Sequence, residues 1–284
     1  QYVFGDAVQT GSIKSQLENP DLKWETTTEL NVGLDFGFLN NRITGSFEYF
    51  HKVVSDLLAF RKLNSLMEVS TIADNIGATQ STGYEFSLNT VNLTGPFKWN
   101  TTLNISSYND RWKERNPDVV LAPYEKEDAP IRAIYGCVSD GILQIGETPP
   151  ASMPDLLPGQ MKVKDLNGFD PNDGSKLLGH PDGKIDAADR IYLGSTDPKV
   201  IIGFGNMFEY KNFDLNIFFY GMFGQYVANS NRAKYGPSGC EYILQRQNYS
   251  KEVLERWTPD NPTNKFPSGF YSAYYGGDDW LLEK

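Results

Sequence analysis

The stretch that decides the fold is residues 24–38, WETTTELNVGLDFGF. Taken as an extended strand, it sorts its residues by type onto two faces, because side chains alternate across a strand with a period of two. One face carries Trp24, Thr26, Thr28, Leu30, Val32, Leu34, Phe36 and Phe38, and the other carries Glu25, Thr27, Glu29, Asn31, Gly33, Asp35 and Gly37. A helix would mix these two sets, so the pattern predicts a long amphipathic β-strand.

The residues that follow predict a hairpin. Residues 39–42, LNNR, contain paired asparagines, which tolerate the positive φ of a tight turn. Residues 43–49, ITGSFEY, then resume the alternation. Two more hairpins follow the same pattern, one over residues 84–105 that turns through 92–96, and one over residues 200–223 that turns at 211–212. Their apolar faces carry Tyr84, Phe86, Leu88, Phe97, Trp99, Thr101, Leu103, Ile105, Val200, Ile202, Phe204, Phe208, Tyr210, Phe213, Leu215, Ile217, Phe219 and Phe223.

Short turns alternate with long polar loops, which fall at residues 54–78, 109–130, 147–198 and 226–279. The strands have about 10 or more residues each, enough to cross a bilayer core when tilted. Together these features predict an all-β fold: a segment of an antiparallel up-and-down transmembrane β-barrel with long extracellular loops. A soluble β-sandwich also alternates apolar and polar residues, although its strands are usually nearer 5–6 residues long. Strand length and loop asymmetry favour the barrel.

The amino-acid composition argues against several classes of function. The net charge of −10, with no cluster of Lys and Arg, argues against a nucleic-acid partner. No apolar run reaches the roughly 18 residues of a membrane helix. The two cysteines, Cys137 and Cys240, are expected to be separate thiols, and the two histidines, His51 and His180, form no recognisable triad or zinc motif. We therefore expect no catalytic residues and no enzyme activity.

Several segments together resemble one family, the SusC/RagA group of TonB-linked outer-membrane transporters. The resemblance covers nearly the whole chain in order. The matching segments are 19–27 (NPDLKWETT), 33–46 (GLDFGFLNNRITGS), 55–58 (SDLL), 83–89 (GYEFSLN), 164–168 (KDLNG), 182–186 (DGKID), 189–190 (DR), 203–204 (GF), 210–215 (YKNFDL) and 256–259 (RWTP).

The resemblance implies a barrel of about 22 strands with a plugged lumen, in the outer membrane of a Gram-negative bacterium. It implies nutrient import, of oligosaccharides or peptides, with a SusD-like surface lipoprotein and with TonB as partners. Residues 1–284 would form a C-terminal part of the barrel, a fragment without the plug domain and the final strands. A passive porin and a calcium-stabilised, carbohydrate-binding sandwich are the alternatives, and a secreted enzyme comes last.

One segment carries the chemistry of a metal site. With residues 169–181 removed, it matches an EF-hand calcium loop, in which oxygen donors surround the ion. The insertion must loop out for the donors to converge, and the last donor is Asp where Glu is usual. The alternative is a turn whose side chains bond its own backbone. The predicted ligands are Asp165, Asn167, Asp182, the backbone carbonyl of Lys184, Asp186 and Asp189.

The last long loop is rich in aromatic and amide side chains, which could contact a glycan or pack against a lid protein. The sequence assigns none of them to substrate. They are Tyr235, Tyr242, Gln245, Gln247, Asn248, Tyr249, Trp257, Phe270, Tyr271, Tyr274 and Tyr275.

Overall fold

The structure, a computed structural model, describes residues 2–4, 7–9, 17–63, 69, 71–116, 120–235, 248–269 and 282–283. Its helices are α1 (Ser230–Tyr235) and two short 3₁₀ helices, Ala187–Asp189 and Lys251–Glu255. None of the helices in these ranges has the length and apolar character needed to span a membrane. The strands are β1 (Tyr2–Phe4), β2 (Ala7–Gln9), β3 (Thr26–Phe38), β4 (Ile43–Ser55), β5 (Leu58–Lys62), β6 (Thr71–Asn75), β7 (Ala78–Thr94), β8 (Phe97–Glu114), β9 (Ala133–Gly136), β10 (Ser139–Ile142), β11 (Met161–Val163), β12 (Phe169–Asp170), β13 (Asp173–Leu177), β14 (Ile191–Ser195), β15 (Val200–Tyr210), β16 (Phe213–Phe223), β17 (Val227–Ala228) and β18 (Leu282–Glu283).

Six long strands form one antiparallel sheet in the order β3-β4-β7-β8-β15-β16. Each pairs with the next long strand along the chain, which confirms the predicted up-and-down topology. The shortest have 11 residues and the longest has 18. The sheet is open: among the described residues, β3 and β16 each have a single neighbour in it.

Three tight turns lie together at one end of this sheet. The turn between β3 and β4 places Leu39, Asn40 and Asn41 at φ of 54°, 54° and 62°, so the paired asparagines adopt the predicted positive φ. Arg42 ties this turn to β7, because its guanidinium donates to the carbonyl oxygens of Val91 (3.0 and 3.1 Å) and Asn92 (2.6 Å). The long connections leave from the opposite end of the sheet.

The register aligns apolar residues across all six strands. One continuous row runs Phe36–Gly45–Leu88–Leu103–Phe204–Phe219, and the next runs Leu34–Phe47–Phe86–Ile105–Ile202–Gly221. A shift of one residue in the register would move all the apolar side chains of a strand to the other face. The alignment of the apolar rows therefore fixes the strand pairing. Leu34 and Phe219 are 66% and 60% exposed, so the face is not covered as the inner face of a sandwich would be.

The compact apolar core lies outside the long sheet, in the connection between β8 and β15. Cys137, Leu143, Met153, Leu156 and Val163 are almost fully buried together. The β9–β14 and β10–β11 ladders flank this cluster. The long connection is therefore a folded unit held at the end of the sheet opposite the tight turns.

Candidate functional site

Aromatic side chains border the apolar face at two levels. Near the tight turns, Phe208 stacks with Trp99 (centroids 5.9 Å apart) and with Phe97 (6.1 Å). Toward the long connections, Tyr49 contacts Tyr84 at 5.3 Å. Amphipathic rings at two levels are typical of the two interfaces of a bilayer.

The spacing of these two levels matches a bilayer core. Ser107 pairs with Tyr84 and follows Phe97 by ten residues. Ten residues of antiparallel strand extend about 34 Å, or about 26 Å in height at a 40° tilt. An apolar band about 25 Å tall is expected of a transmembrane barrel.

A polar network interrupts the apolar face near the tight turns. The amide oxygen Oδ1 of Asn206 accepts hydrogen bonds from Trp99 Nε1 (2.9 Å) and Thr101 Oγ1 (2.8 Å). Asn92 Nδ2, at a bulge in β7, donates to Thr101 Oγ1 at 2.8 Å. These mutual bonds satisfy polar groups that lipid could not satisfy.

The other face of the sheet is polar. Glu48 and Glu85 lie directly opposite each other on β4 and β7, where like charges repel. A groove of about 360 Å³ runs past both carboxylates toward Phe218 and Tyr220 of β16. The sequence analysis did not place Phe218 and Tyr220 on this face, although they sit between the outward residues of β16 and the alternation could have found them.

The predicted calcium ligands lie in residues 165–189, here called the Asp-rich loop. Asp189 is fully buried; its Oδ1 accepts the N–H groups of Leu166 (2.7 Å) and Asn167 (3.2 Å), and its Oδ2 accepts that of Asp186 (2.8 Å). Asp186 caps the 3₁₀ helix Ala187–Asp189. The buried end of the loop is therefore held by hydrogen bonds from its own backbone N–H groups to the carboxylates of Asp186 and Asp189.

The exposed end of the loop is built similarly. Asp165 accepts N–H groups of Asp182 (3.3 Å) and Gly183 (2.9 Å), and Asp182 accepts that of Lys184 (2.9 Å). The insertion forms its own hairpin, β12–β13, so it loops out. The oxygen donors suit calcium in type, yet in the described part of the chain no three His, Cys, Asp or Glu side chains are grouped as a metal would require. The calcium site stays a prediction.

The last long loop is described only in part. Trp257 is 4% exposed and donates from Nε1 to Gln144 Oε1 at 2.8 Å, so it packs the loop together. Tyr249 lines a pocket of about 610 Å³ beside the Arg232–Glu252 ion pair (3.0 Å). Outside the described residues lie Cys240, Tyr242, Gln245, Gln247, Phe270, Tyr271, Tyr274 and Tyr275.

A second pocket, of about 540 Å³, lies at the end of β8 that carries the long connections. Tyr135 of β9 pairs with Tyr192 of β14, and the Tyr135 ring lies 6.0 Å from the Tyr192 ring and 5.6 Å from the Tyr124 ring. Partial burial raises the pKa of the Tyr192 hydroxyl. This site, called the tyrosine pocket, is lined by Tyr124, Tyr135, Tyr192, Arg111, Lys126 and Arg190. The sequence analysis missed it, because its residues come from six separate stretches of the chain.

Comparison with known proteins identifies the family to which the six-stranded sheet belongs. Residues 2–151 match the family model described as TonB dependent receptor-like, beta-barrel. The chain belongs to this family. It is a segment of a TonB-dependent receptor β-barrel in the outer membrane of a Gram-negative bacterium. In such barrels the apolar face of the sheet is the one that faces lipid.

Individual relatives of the chain carry the same family name. The chain is 31% identical to TonB-dependent receptor P3 of Formosa agariphila, over 93% of this chain and 26% of that protein. It is 30% identical to TonB-dependent receptor SusC of Bacteroides thetaiotaomicron, over 89% of this chain and 25% of that protein. The chain thus spans about a quarter of the length of these relatives. Both relatives are TonB-dependent receptors.

A solved structure shares the fold of this TonB-dependent receptor segment. The RagAB peptide transporter superposes with a TM-score of 0.69 and 21% identity, over 93% of this chain and 28% of that one. Outer-membrane barrels have short periplasmic turns and longer extracellular loops. Membership of the barrel family therefore assigns the tight turns to the periplasm and the long connections, with the Asp-rich loop and the tyrosine pocket, to the outside.

Proposed function

We propose that this chain forms part of the barrel wall of a SusC-like importer, which takes up oligosaccharides or peptides across the outer membrane. The observation that carries the proposal is the six-strand register, which puts apolar rows on one face and polar residues on the other. Such a sheet separates lipid from an aqueous path. Residues 1–284 are the C-terminal part of that barrel in this proposal.

The proposed partners are a SusD-like surface lipoprotein and TonB. The folded extracellular connection, with its buried cluster around Cys137 and Met153, offers a rigid surface to a lipoprotein at the barrel mouth. The opposed carboxylates of Glu48 and Glu85 favour a cationic group against the polar face, where a plug would sit. No step of this transport requires covalent chemistry.

A growth and uptake assay tests the proposal. A strain lacking the full-length gene is supplied with fluorescent oligosaccharides or peptides, with and without the wild-type gene. We expect uptake of one of these classes to need the gene and to stop when TonB is deleted. Uptake that continues without TonB would contradict the importer and support a passive porin.

A further inference from the structure

The tyrosine pocket has the size and lining of a ligand site. Its volume of about 540 Å³ lies within the roughly 300–1,000 Å³ range of small-molecule pockets. Aromatic faces and convergent cationic side chains line it, which is the composition that binds polar ring compounds bearing negative charge.

Arg111 places one edge of the pocket on the apolar, lipid-facing side of the sheet. Between Leu103 and Arg111 the pairing of β8 with β7 has no register shift, so Ile105 and Arg111 share a face. Ile105 belongs to the outward apolar row with Phe86 and Ile202. Arg111 also donates from Nη1 to the backbone oxygen of Asp128 (3.2 Å), and Pro130 pairs with Arg111 as an antiparallel bridge, so the extracellular loop lies beside this end of β8.

The height of the pocket places it among lipid headgroups. Arg111 follows Ser107, at the outer aromatic level, by four residues, or about 10 Å above the apolar band. At that level an outward-facing pocket meets the saccharide part of the outer leaflet, whereas an imported nutrient passes along the polar face.

The charges around the pocket suit an anionic saccharide. The lining includes three cationic residues, Arg111, Lys126 and Arg190, and two acidic residues, Glu125 and Asp128, so positive charge predominates. The Asp128 carboxylate lies 3.8 Å from Arg111 Nη1, which leaves the other donors of this guanidinium for a phosphate or carboxylate.

We propose that the tyrosine pocket binds the core saccharide of an outer-leaflet lipopolysaccharide, beyond its lipid A, with the rings of Tyr124, Tyr135 and Tyr192 against the sugar and Arg111 against its anionic group. The barrel is thereby anchored to a headgroup and not only to acyl chains. This role is additional to the proposed import.

Binding measurements on the full-length protein in detergent test this proposal. The probes are lipopolysaccharide from the source strain and the lipid A obtained from it by acid hydrolysis, with bound lipid counted by native mass spectrometry. We expect intact lipopolysaccharide to bind at least tenfold more tightly than lipid A. Tyr135→Ala and Arg111→Gln should each lower the ratio of the lipopolysaccharide affinity to the lipid A affinity by about tenfold.

Lys98→Gln is the matched control, since Lys98 lies on the polar face at the other end of β8. Its lipopolysaccharide affinity should equal that of the wild type. Every variant must keep the heat-dependent electrophoretic shift of a folded barrel. Equal affinity for lipid A and intact lipopolysaccharide, or wild-type affinity in both pocket variants, would overturn the proposal. So would a loss of nutrient uptake in the pocket variants with unchanged lipopolysaccharide affinity.

Discussion

Replacing Leu103 by Arg should destabilise the barrel strongly. Leu103 lies near the middle of the apolar band, six residues from Phe97 and four from Ser107, with Leu88 and Phe204 as its register neighbours. An Arg side chain on the lipid face at the bilayer midplane costs about 2–4 kcal/mol. That cost corresponds to roughly a 30- to 900-fold rise in the unfolded fraction.

The assay is reversible guanidinium unfolding of the full-length protein in lipid vesicles, followed by tryptophan fluorescence. Asn104→Arg is the matched control, because Asn104 is the next residue on the strand and faces the aqueous side. We expect it to change the free energy of unfolding by less than about 1 kcal/mol. The reasoning is refuted if Leu103→Arg costs no more than Asn104→Arg.

Three further changes probe local features of the wall and the Asp-rich loop. Arg42→Ala removes three hydrogen bonds to β7 and should lower the free energy of unfolding by about 1.5–3 kcal/mol in the same assay. An unchanged free energy of unfolding would show that these bonds do not stabilise the turn. Asn206→Ala leaves the Trp99 indole N–H facing lipid without its acceptor and should cost about 1–3 kcal/mol; an unchanged midpoint would count against the network. Calorimetry on the full-length protein should detect one calcium ion at millimolar concentration or below, weakened at least tenfold by Asp182→Asn; no heat at millimolar calcium would exclude the site.

The hairpins could be predicted from sequence because strand periodicity and turn chemistry are local. The alternation through Leu34 and Phe36 fixes which face is apolar, and Asn40 and Asn41 fix where the chain turns. The pairing of the six strands then follows, because strands with one apolar face can form a single sheet only in a register that aligns those faces.

The extracellular unit could not be predicted in the same way. Its core residues, such as Leu143 and Met153, follow no repeating period and meet through irregular connections. In the tyrosine pocket, Tyr124 and Tyr192 come from separate segments and each contacts Tyr135, an arrangement that no local pattern encodes. For the Asp-rich loop, the same carboxylates serve either a metal or backbone N–H groups, so sequence alone cannot choose between them.

The most direct test of the account is the accessibility of two neighbouring rows of the sheet. Single spin labels are placed at Leu88, Leu103 and Phe204, and separately at Ser87 and Asn104, in the full-length protein in lipid vesicles. The account predicts that the first row collides with dissolved oxygen and not with a polar nickel complex, and that the second row does the reverse. Equal access of the nickel complex to both rows would contradict a lipid-facing wall.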